Sequence, residues 1–308
     1  MSRTVYLGTS GFAATVLRRL ADSPHRPDIV VTPPDRRKGR GRRSLPPAAA
    51  ETATELGLEL LQTPNVNDPA ALERIRAVRP EVAAVCAFGQ LIREPLLSEL
   101  LMLNVHPSLL PRWRGAAPIE RAIMAGDDET GVSVMRVTAG LDSGPVALSV
   151  RVAIDPDENY GSLAGRLAEL GGELLVRALD LRAAGALELV DQSEEEATYA
   201  EKIDSSDRRL YPGEPAVDLA RRVRALTPHV GAFVELEGGE RLGVRAAGAQ
   251  ADAVGLSAGE FAARDGRLLL GCSHGALRLD VVQPPGGRPM PADAYLRGHS
   301  PPARASVS

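Results

Sequence analysis

Three polar side chains between positions 104 and 144 have the types and spacing for chemistry on an acyl group. Asn104 and His106 stand two apart at the end of an apolar run that begins Leu101-Met102-Leu103. In a strand, residues two apart share a face. Asp142 stands in the glycine-flanked stretch Gly140-Leu141-Asp142-Ser143-Gly144, after a second apolar run from Val132 to Val137. An amide donates a hydrogen bond to a carbonyl oxygen that turns negative under attack, and each such donor is worth roughly 3–4 kcal/mol. Imidazole changes charge near neutrality, so His106 is suited to hold or share a proton at the same oxygen. A carboxylate beside it favours the charged ring. No Ser or Cys beside the three stands out as a nucleophile, so direct transfer between two bound substrates fits better than an acyl-enzyme.

Taken singly, each residue has a plainer reading. A strand-end Asn or His commonly caps a loop, and Asp in Gly-Leu-Asp-Ser-Gly is a turn residue. Together they flank Ser108-Leu109-Leu110-Pro111-Arg112-Trp113-Arg114-Gly115-Ala116-Ala117-Pro118-Ile119. This combination resembles the signature of the 10-formyltetrahydrofolate-dependent formyltransferases, and within them the branch that acts on methionyl-tRNA. The likeness runs over nearly the whole chain, taking in Gly8-Thr9, Ala87-Phe88-Gly89 and Thr198-Tyr199-Ala200-Glu201-Lys202-Ile203.

The resemblance implies formyl transfer from N10 of 10-formyltetrahydrofolate to the α-amino group of initiator methionyl-tRNA. Asn104 and His106 would stabilise the oxyanion, while Asp142 orients and charges His106 and helps move the proton through water. Phe88, Gly89, Ser108, Leu109, Leu110 and Pro111 would hold the folate. The expected partners are folate and initiator methionyl-tRNA, with no membrane, and the chain is expected to act as a monomer. No metal is expected, since two cysteines and scattered histidines offer no zinc spacing. Two rival readings stand beside this one. The same trio would serve a formyltransferase for a sugar nucleotide or another small amine, or a formyltetrahydrofolate hydrolase. A catalytically inert RNA-binding relative would keep the fold without the chemistry.

The elements that must position these residues follow from pattern. A chain of 308 residues, 44% hydrophobic and 25% charged, has ample material for one large or two ordinary domains. No apolar run approaches the roughly 18–20 residues that span a bilayer. Met1-Ser2-Arg3-Thr4 lacks a signal-peptide layout, and Cys86 and Cys272 sit in apolar surroundings, so a reducing cytosolic setting is expected. Val5 to Leu7 and Asp28 to Thr32 read as strands around a helix with Phe12, Val16, Leu17 and Leu20 on one face and Ser10 as its N-cap. Gly8-Thr9-Ser10-Gly11 is not the spaced dinucleotide fingerprint, so tight strand-to-helix packing is the better account of these glycines.

Further helices are expected over 48–56, 69–78, 119–125 and 160–184, and strands over 58–61, 82–87 and 146–154. This alternation predicts a Rossmann-like α/β fold: a parallel sheet with helices on both faces, whose ligands bind at the carboxyl ends of the strands. That rule gathers Phe88-Gly89, His106 to Pro111 and Asp142 around one cleft. Trp113, the only tryptophan, reads equally as a core anchor.

The texture changes after position 188, and three parts are expected: a catalytic domain over 1–188, a polar linker over 189–206 and a small domain over 207–308. A helix from Pro215 to Leu226 precedes short Val-, Leu- and Gly-rich runs, which predict a small β-barrel. The family's corresponding domain is an oligonucleotide-binding-like barrel. Residues 207–308 hold 13 Arg against 11 Asp or Glu within a chain of net charge −4. Arg288 falls where relatives often carry a lysine pair.

Six basic residues, Arg36, Arg37, Lys38, Arg40, Arg42 and Arg43, crowd one segment bracketed by Pro33-Pro34 and Pro46-Pro47. Prolines disfavour helix, so a loop is expected. It reads either as a solvated charge run or as a lid that docks on phosphates. The resemblance favours the second, with Arg40 at the tRNA-contacting arginine and Arg37-Lys38 where the family commonly has Pro-Ala.

Overall fold

Apolar runs such as Val82 to Cys86 become strands buried on both faces, and the helical periodicities between them become the crossovers that parallel strands require. The computed structural model of the chain describes residues 3–38, 43–251 and 255–306. It begins with β1 (Thr4–Gly8), α1 (Gly11–Ala21), β2 (Ile29–Thr32), β3 (Arg36–Lys38), β4 (Arg43–Leu45), α2 (Ala48–Glu55) and β5 (Glu59–Gln62). α3 (Pro69–Ala77), β6 (Val82–Cys86), α4 (Leu96–Glu99), β7 (Met102–His106), β8 (Arg114–Gly115) and α5 (Pro118–Ala125) follow. β9 (Glu129–Arg136), β10 (Val146–Ala153) and α6 (Tyr160–Ala183) come next.

The main sheet has the order β10-β9-β7-β6-β1-β2-β5. The five strands from β7 to β5 are parallel, whereas β9 runs antiparallel on β7 and β10 antiparallel on β9. The expected parallel sheet therefore gains two antiparallel strands at one edge. The stretch joining β9 to β10 is too short to hold a crossover helix. The second expectation to change concerns the basic segment. Its ends form an antiparallel ribbon, with Arg36 opposite Leu45, Arg37 opposite Ser44 and Lys38 opposite Arg43. The flanking prolines exclude helix, but they leave an isolated strand pair free to form.

The chain divides into two compact units that interleave in sequence. The first comprises Met1–Gly115, Glu129–Ala153 and Ala164–Tyr199; the second comprises Ala116–Asp128, Ile154–Leu163 and Ala200–Ser308. In the first, Val5, Leu7, Ile29, Val31, Ala83, Val85 and Met102 form one buried face of the sheet with Leu72 and Ile75 of α3 against it. Ser10 caps α1 by accepting the Ala13 N–H at 3.2 Å. A Cβ on Gly8 would lie 2.6 Å from Tyr6 Cε1 and 3.2 Å from the Cys86 carbonyl, whereas one on Gly11 would meet nothing within 4 Å. The first glycine is thus a packing requirement, as its place at a strand-to-helix turn predicts.

After β11 (Tyr199–Ala200), which straddles the boundary in sequence, the second unit continues with α7 (Ala216–Leu226), β12 (Ala232–Glu235), β13 (Arg241–Gln250) and β14 (Phe261–Arg264). β15 (Arg267–Gly271), β16 (Ala276–Gln283), β17 (Met290–Pro291) and α8 (Ala292–Gly298) complete it. Its antiparallel sheet has the order β12-β13-β16-β15-β14, with β17 on β16. Ala305 bridges to Leu236 beyond one edge strand, and Arg304 bridges to Glu260 beside the other. This C-terminal segment closes the two edges barrel-fashion, which removes unpaired strand backbone. Leu219, Val223 and Leu226 of α7 pack on Val234, Val244, Leu268, Leu277 and Leu279 of the sheet.

Candidate active site

The site is built at the end of β7. The run Met102-Leu103-Asn104-Val105-His106 alternates so that Leu103 and Val105 lock into the core while Asn104 is half-buried. Among the described residues the Asn104 carboxamide has no side-chain hydrogen-bond partner. His106 is buried and held from two sides. Its Nε2 donates to the Trp113 carbonyl at 2.9 Å, and its Nδ1 lies 3.6 Å from Asp142 Oδ2. The second distance is too long for a hydrogen bond and within ion-pair reach. Both ring nitrogens therefore face oxygen acceptors.

Asp142 reaches that position by an indirect route. Arg136 pairs with Leu103 and the Val137 N–H donates to Met102 O, so β9 ends beside the start of β7, away from His106. The following loop doubles back. Asp142 sits in it at φ 45°, a left-handed conformation costly for a residue other than glycine. Its carboxylate also accepts the Gly115 N–H at 2.9 Å. The carboxyl-end rule accounts for Phe88-Gly89 and for the segment after His106; it does not by itself account for Asp142.

The remaining folate candidates are placed as follows. Phe88 is buried, with its carbonyl accepting from Thr9 Oγ1 at 2.6 Å, and Gly89 is exposed at φ 75° with nothing within 4 Å of a Cβ there. Ser108 is fully buried and donates to the Arg112 carbonyl at 2.6 Å, so its hydroxyl shapes the loop from within. Leu109 and Leu110 are half-buried, and the Leu110–Pro111 peptide is cis. Ser133 on β9 ties this loop down, donating to Ser108 O at 2.8 Å and accepting the Leu110 N–H at 3.2 Å. Beyond Gly89 a groove of about 340 Å³ is lined by Pro64, Asn65, Asn67, Gln90, Leu91 and Arg93. Leu91 and Leu141 are exposed.

Of the basic candidates, Arg36 is exposed on β3; the backbones of Arg37, Lys38 and Arg43 belong to the β3–β4 ribbon. Arg40 and Arg42 lie outside the described residues. Among the described residues no cluster of three or more His, Cys, Asp or Glu gathers that could hold a metal ion. Both cysteines are buried. Burial pushes the Cys86 thiol up to about 12.

Sequence reading gave one group of residues no role in the site. The stretch read as the start of an interdomain linker supplies Gln192, Glu194 and Thr198 to the site loops. Arg114, 1% exposed, makes a bidentate pair with Glu194 at 2.9 and 3.0 Å and donates from Nε to Gln192 at 2.9 Å. That hydrogen bonding holds the Glu194 carboxyl below the usual carboxylate range. Thr198 accepts the Trp113 N–H through its hydroxyl at 2.8 Å and the Arg114 N–H through its carbonyl at 2.8 Å. A polar, acidic segment carries no signal that separates a linker from such a strap.

Comparison with known proteins rests on two family profiles. Residues 2–179 match the formyl transferase family, and residues 202–300 match its formyl transferase C-terminal domain. A methionyl-tRNA formyltransferase of Pseudomonas paraeruginosa is 43% identical over 305 residues, covering 95% of this chain and 95% of the relative. That of Methylococcus capsulatus is 42% identical, with 97% of each covered. The chain belongs to the methionyl-tRNA formyltransferase family.

Solved structures agree at the level of fold. HypX from Aquifex aeolicus, solved in complex with tetrahydrofolic acid, superposes with a TM-score of 0.65 at 18% identity. The match takes in 96% of this chain and 47% of that one, so the chain spans about half the length of HypX. WlaRD, a sugar 3N-formyl transferase, superposes with a TM-score of 0.66 at 14% identity, covering 91% and 97%. Family membership fits the architecture: the first profile ends inside α6, and the second covers α7 and the C-terminal sheet.

Proposed function

We propose that this enzyme transfers the formyl group of 10-formyltetrahydrofolate to the α-amino group of initiator methionyl-tRNA. Relatives named for that activity match 95% and 97% of the chain at 43% and 42% identity. The observation that carries the chemistry is the convergence of a buried imidazole, a carboxylate 3.6 Å from it and an unpartnered carboxamide two residues along the same strand. The free amine attacks the formyl carbon, and collapse of the tetrahedral adduct breaks its bond to N10, which leaves as tetrahydrofolate carrying a proton. Asn104 donates to the formyl oxygen as negative charge grows there, the interaction that only the transition state gains in full. His106, held through Nε2 by Trp113 O and facing Asp142 through Nδ1, supplies positive charge beside that oxygen. Asp142 then helps pass the amine's proton to solvent. Binding both substrates together supplies the proximity that a nucleophile-free route needs.

The donor fits the residues present. The Asn104 amide has spare hydrogen-bonding capacity, Gly89 leaves open space beside Phe88, and Leu91 and Leu141 offer exposed apolar surface. We assign the folate to Phe88, Gly89 and the loop from Ser108 to Pro111, and the tRNA to Arg36, Arg37, Lys38, Arg40, Arg42 and Arg43. The catalytic domain over 1–188, the linker over 189–206 and the tRNA-binding domain over 207–308 remain our reading of how the work is divided. We assign the chain to the cytosol, as a monomer. No helix of the described residues is long and apolar enough to cross a membrane.

The test is incubation with 10-formyltetrahydrofolate and methionyl initiator tRNA. Formyl-methionine is expected only when both are present. Transfer to free methionine or to an amino sugar, with charged tRNA left unmodified, would overturn the reading in favour of the small-amine alternative.

A further inference from the structure

A half-buried glutamine outside every catalytic motif of the chain ties the charged core of the site to the loop that carries Asp142. Gln192 Oε1 accepts from Arg114 Nε at 2.9 Å, while its Nε2 donates to the carbonyls of Asp142 at 2.8 Å and of Gly144 at 2.6 Å. The orientation of the amide is fixed by chemistry. A guanidinium only donates and a carbonyl only accepts, so one end of the carboxamide must face each. Arg114 is in turn anchored by Glu194 in a two-pronged pair. The strap holding Gln192 is itself fixed at Val190, which exchanges backbone hydrogen bonds of 2.8 and 2.9 Å with Val146 at the start of β10.

This clasp acts where the backbone needs it. The loop must return along β7, Asp142 adopts φ 45° within it, and Gly144 is so tightly placed that a Cβ would lie 2.0 Å from the Arg136 carbonyl. No regular secondary structure supports residues 138–145. Two of the carbonyls there are instead held by one side chain. The carboxylate of Asp142 receives one further tether, the Gly115 N–H, from the residue next to Arg114.

We propose that Gln192, seated on the Arg114–Glu194 pair, is a positioning residue that fixes the Gly140–Gly144 loop so that Asp142 faces His106. The assignment rests on the formyl-transfer reading above. It predicts that Gln192 acts on turnover rather than on substrate affinity, because it touches the loop backbone and holds the catalytic geometry. A misplacement of order 1 Å at a reacting group costs about 100-fold.

The experiment measures kcat and KM for formylation of methionyl-tRNA in Gln192→Ala and Gln192→Glu, alone and in an Asp142→Asn background. Gln192→Ala is expected to lower kcat by about 10- to 100-fold with KM for both substrates within about threefold. Gln192→Glu keeps an acceptor for Arg114 but turns a carboxylate on two carbonyls. It is expected to lose as much. If Gln192 served only as a partner for Arg114, the Glu variant would remain active and the proposal would be overturned. In the Asp142→Asn background the same changes are expected to cost less than about twofold, since residues that act as a unit are not additive. A full repeat of the loss there would also overturn it, as would single variants within twofold of the parent or a loss confined to KM. Where the double variants fall below detection, the kcat-against-KM split and the Glu variant decide. Failure of the parent enzyme to formylate methionyl-tRNA would sink the underlying reading instead, and the two results are distinct.

Discussion

The two compact units keep their polar groups in opposite ways. Every buried polar or charged side chain of the described residues, from Thr4 and His25 to His106, Ser108, Arg114, Thr130 and Ser133, belongs to the first unit. The second packs a core of leucine, valine, alanine and a few aromatics, and its ion pairs, such as Arg222 with Glu214 and Arg278 with Asp280, stay partly exposed. Burying a polar group is costly unless it is hydrogen-bonded, so a unit that accumulates such groups must supply partners for them. Four of the buried polar residues, His106, Ser108, Arg114 and Ser133, gather around one loop system, where backbone groups hold Ser108 and Ser133 and the side chains of Gln192 and Glu194 hold Arg114. The first unit carries the buried polar groups, whereas the second packs an apolar core and leaves its ion pairs partly exposed.

That contrast can be broken or sharpened by substitution. The largest effect is expected from His106→Ala, which removes the group proposed to meet the formyl oxygen. Formylation should fall by about 100- to 10,000-fold. Binding of methionyl-tRNA, followed by filter retention, should stay within threefold of the parent. A Leu277→Ala change in the second unit should act the other way round. Its side chain is fully buried in β16, so the cost is about 2–5 kcal/mol in a denaturant titration. Its kcat, measured well below the melting temperature, should be close to that of the parent. Equal damage to kcat from both changes would contradict the division.

Ser133→Ala probes the expense of the site itself. The hydroxyl donates to Ser108 O, accepts from Leu110 N and lies 3.0 Å from Ser149 Oγ. Leaving those groups unpaired should cost about 1–3 kcal/mol and loosen the Ser108–Pro111 loop, readable as a raised KM for folate. Gly8→Ala should destabilise by about 1–3 kcal/mol through its clash with the Tyr6 ring, whereas Gly11→Ala should lie within about 1 kcal/mol of the parent. The smallest effect is expected from Arg36→Ala. It should lower the slope of log affinity for tRNA against log salt by about 1, with kcat unchanged.

Much of this was legible in the sequence because its signals are local. Continuous apolar runs and 3.6-residue periodicity specify β1, α1, β6, β7 and α6 with little dependence on distant contacts. The Asn104–His106 spacing places both at a strand end. The ribbon of Arg36–Lys38 and Arg43–Leu45 was harder. Its residues carry no apolar alternation, and proline brackets tell against helix without telling strand from loop. β14 and α8 also escaped, since Phe261-Ala262-Ala263-Arg264 and a seven-residue helix offer too short a pattern to read.

By itself, the amino-acid sequence determined the long strands and helices of the first unit, that Gly8 must be small, and which three side chains have chemistry to offer. The tertiary structure decided how the third of them arrives. Asp142 leaves a strand that ends beside the wrong end of β7 and is carried back by a loop whose carbonyls are held by Gln192, fifty residues further on. Local propensity cannot encode that meeting. Loop backbone without a ladder must find its hydrogen bonds wherever folding brings a donor, and only the folded chain puts Gln192 there.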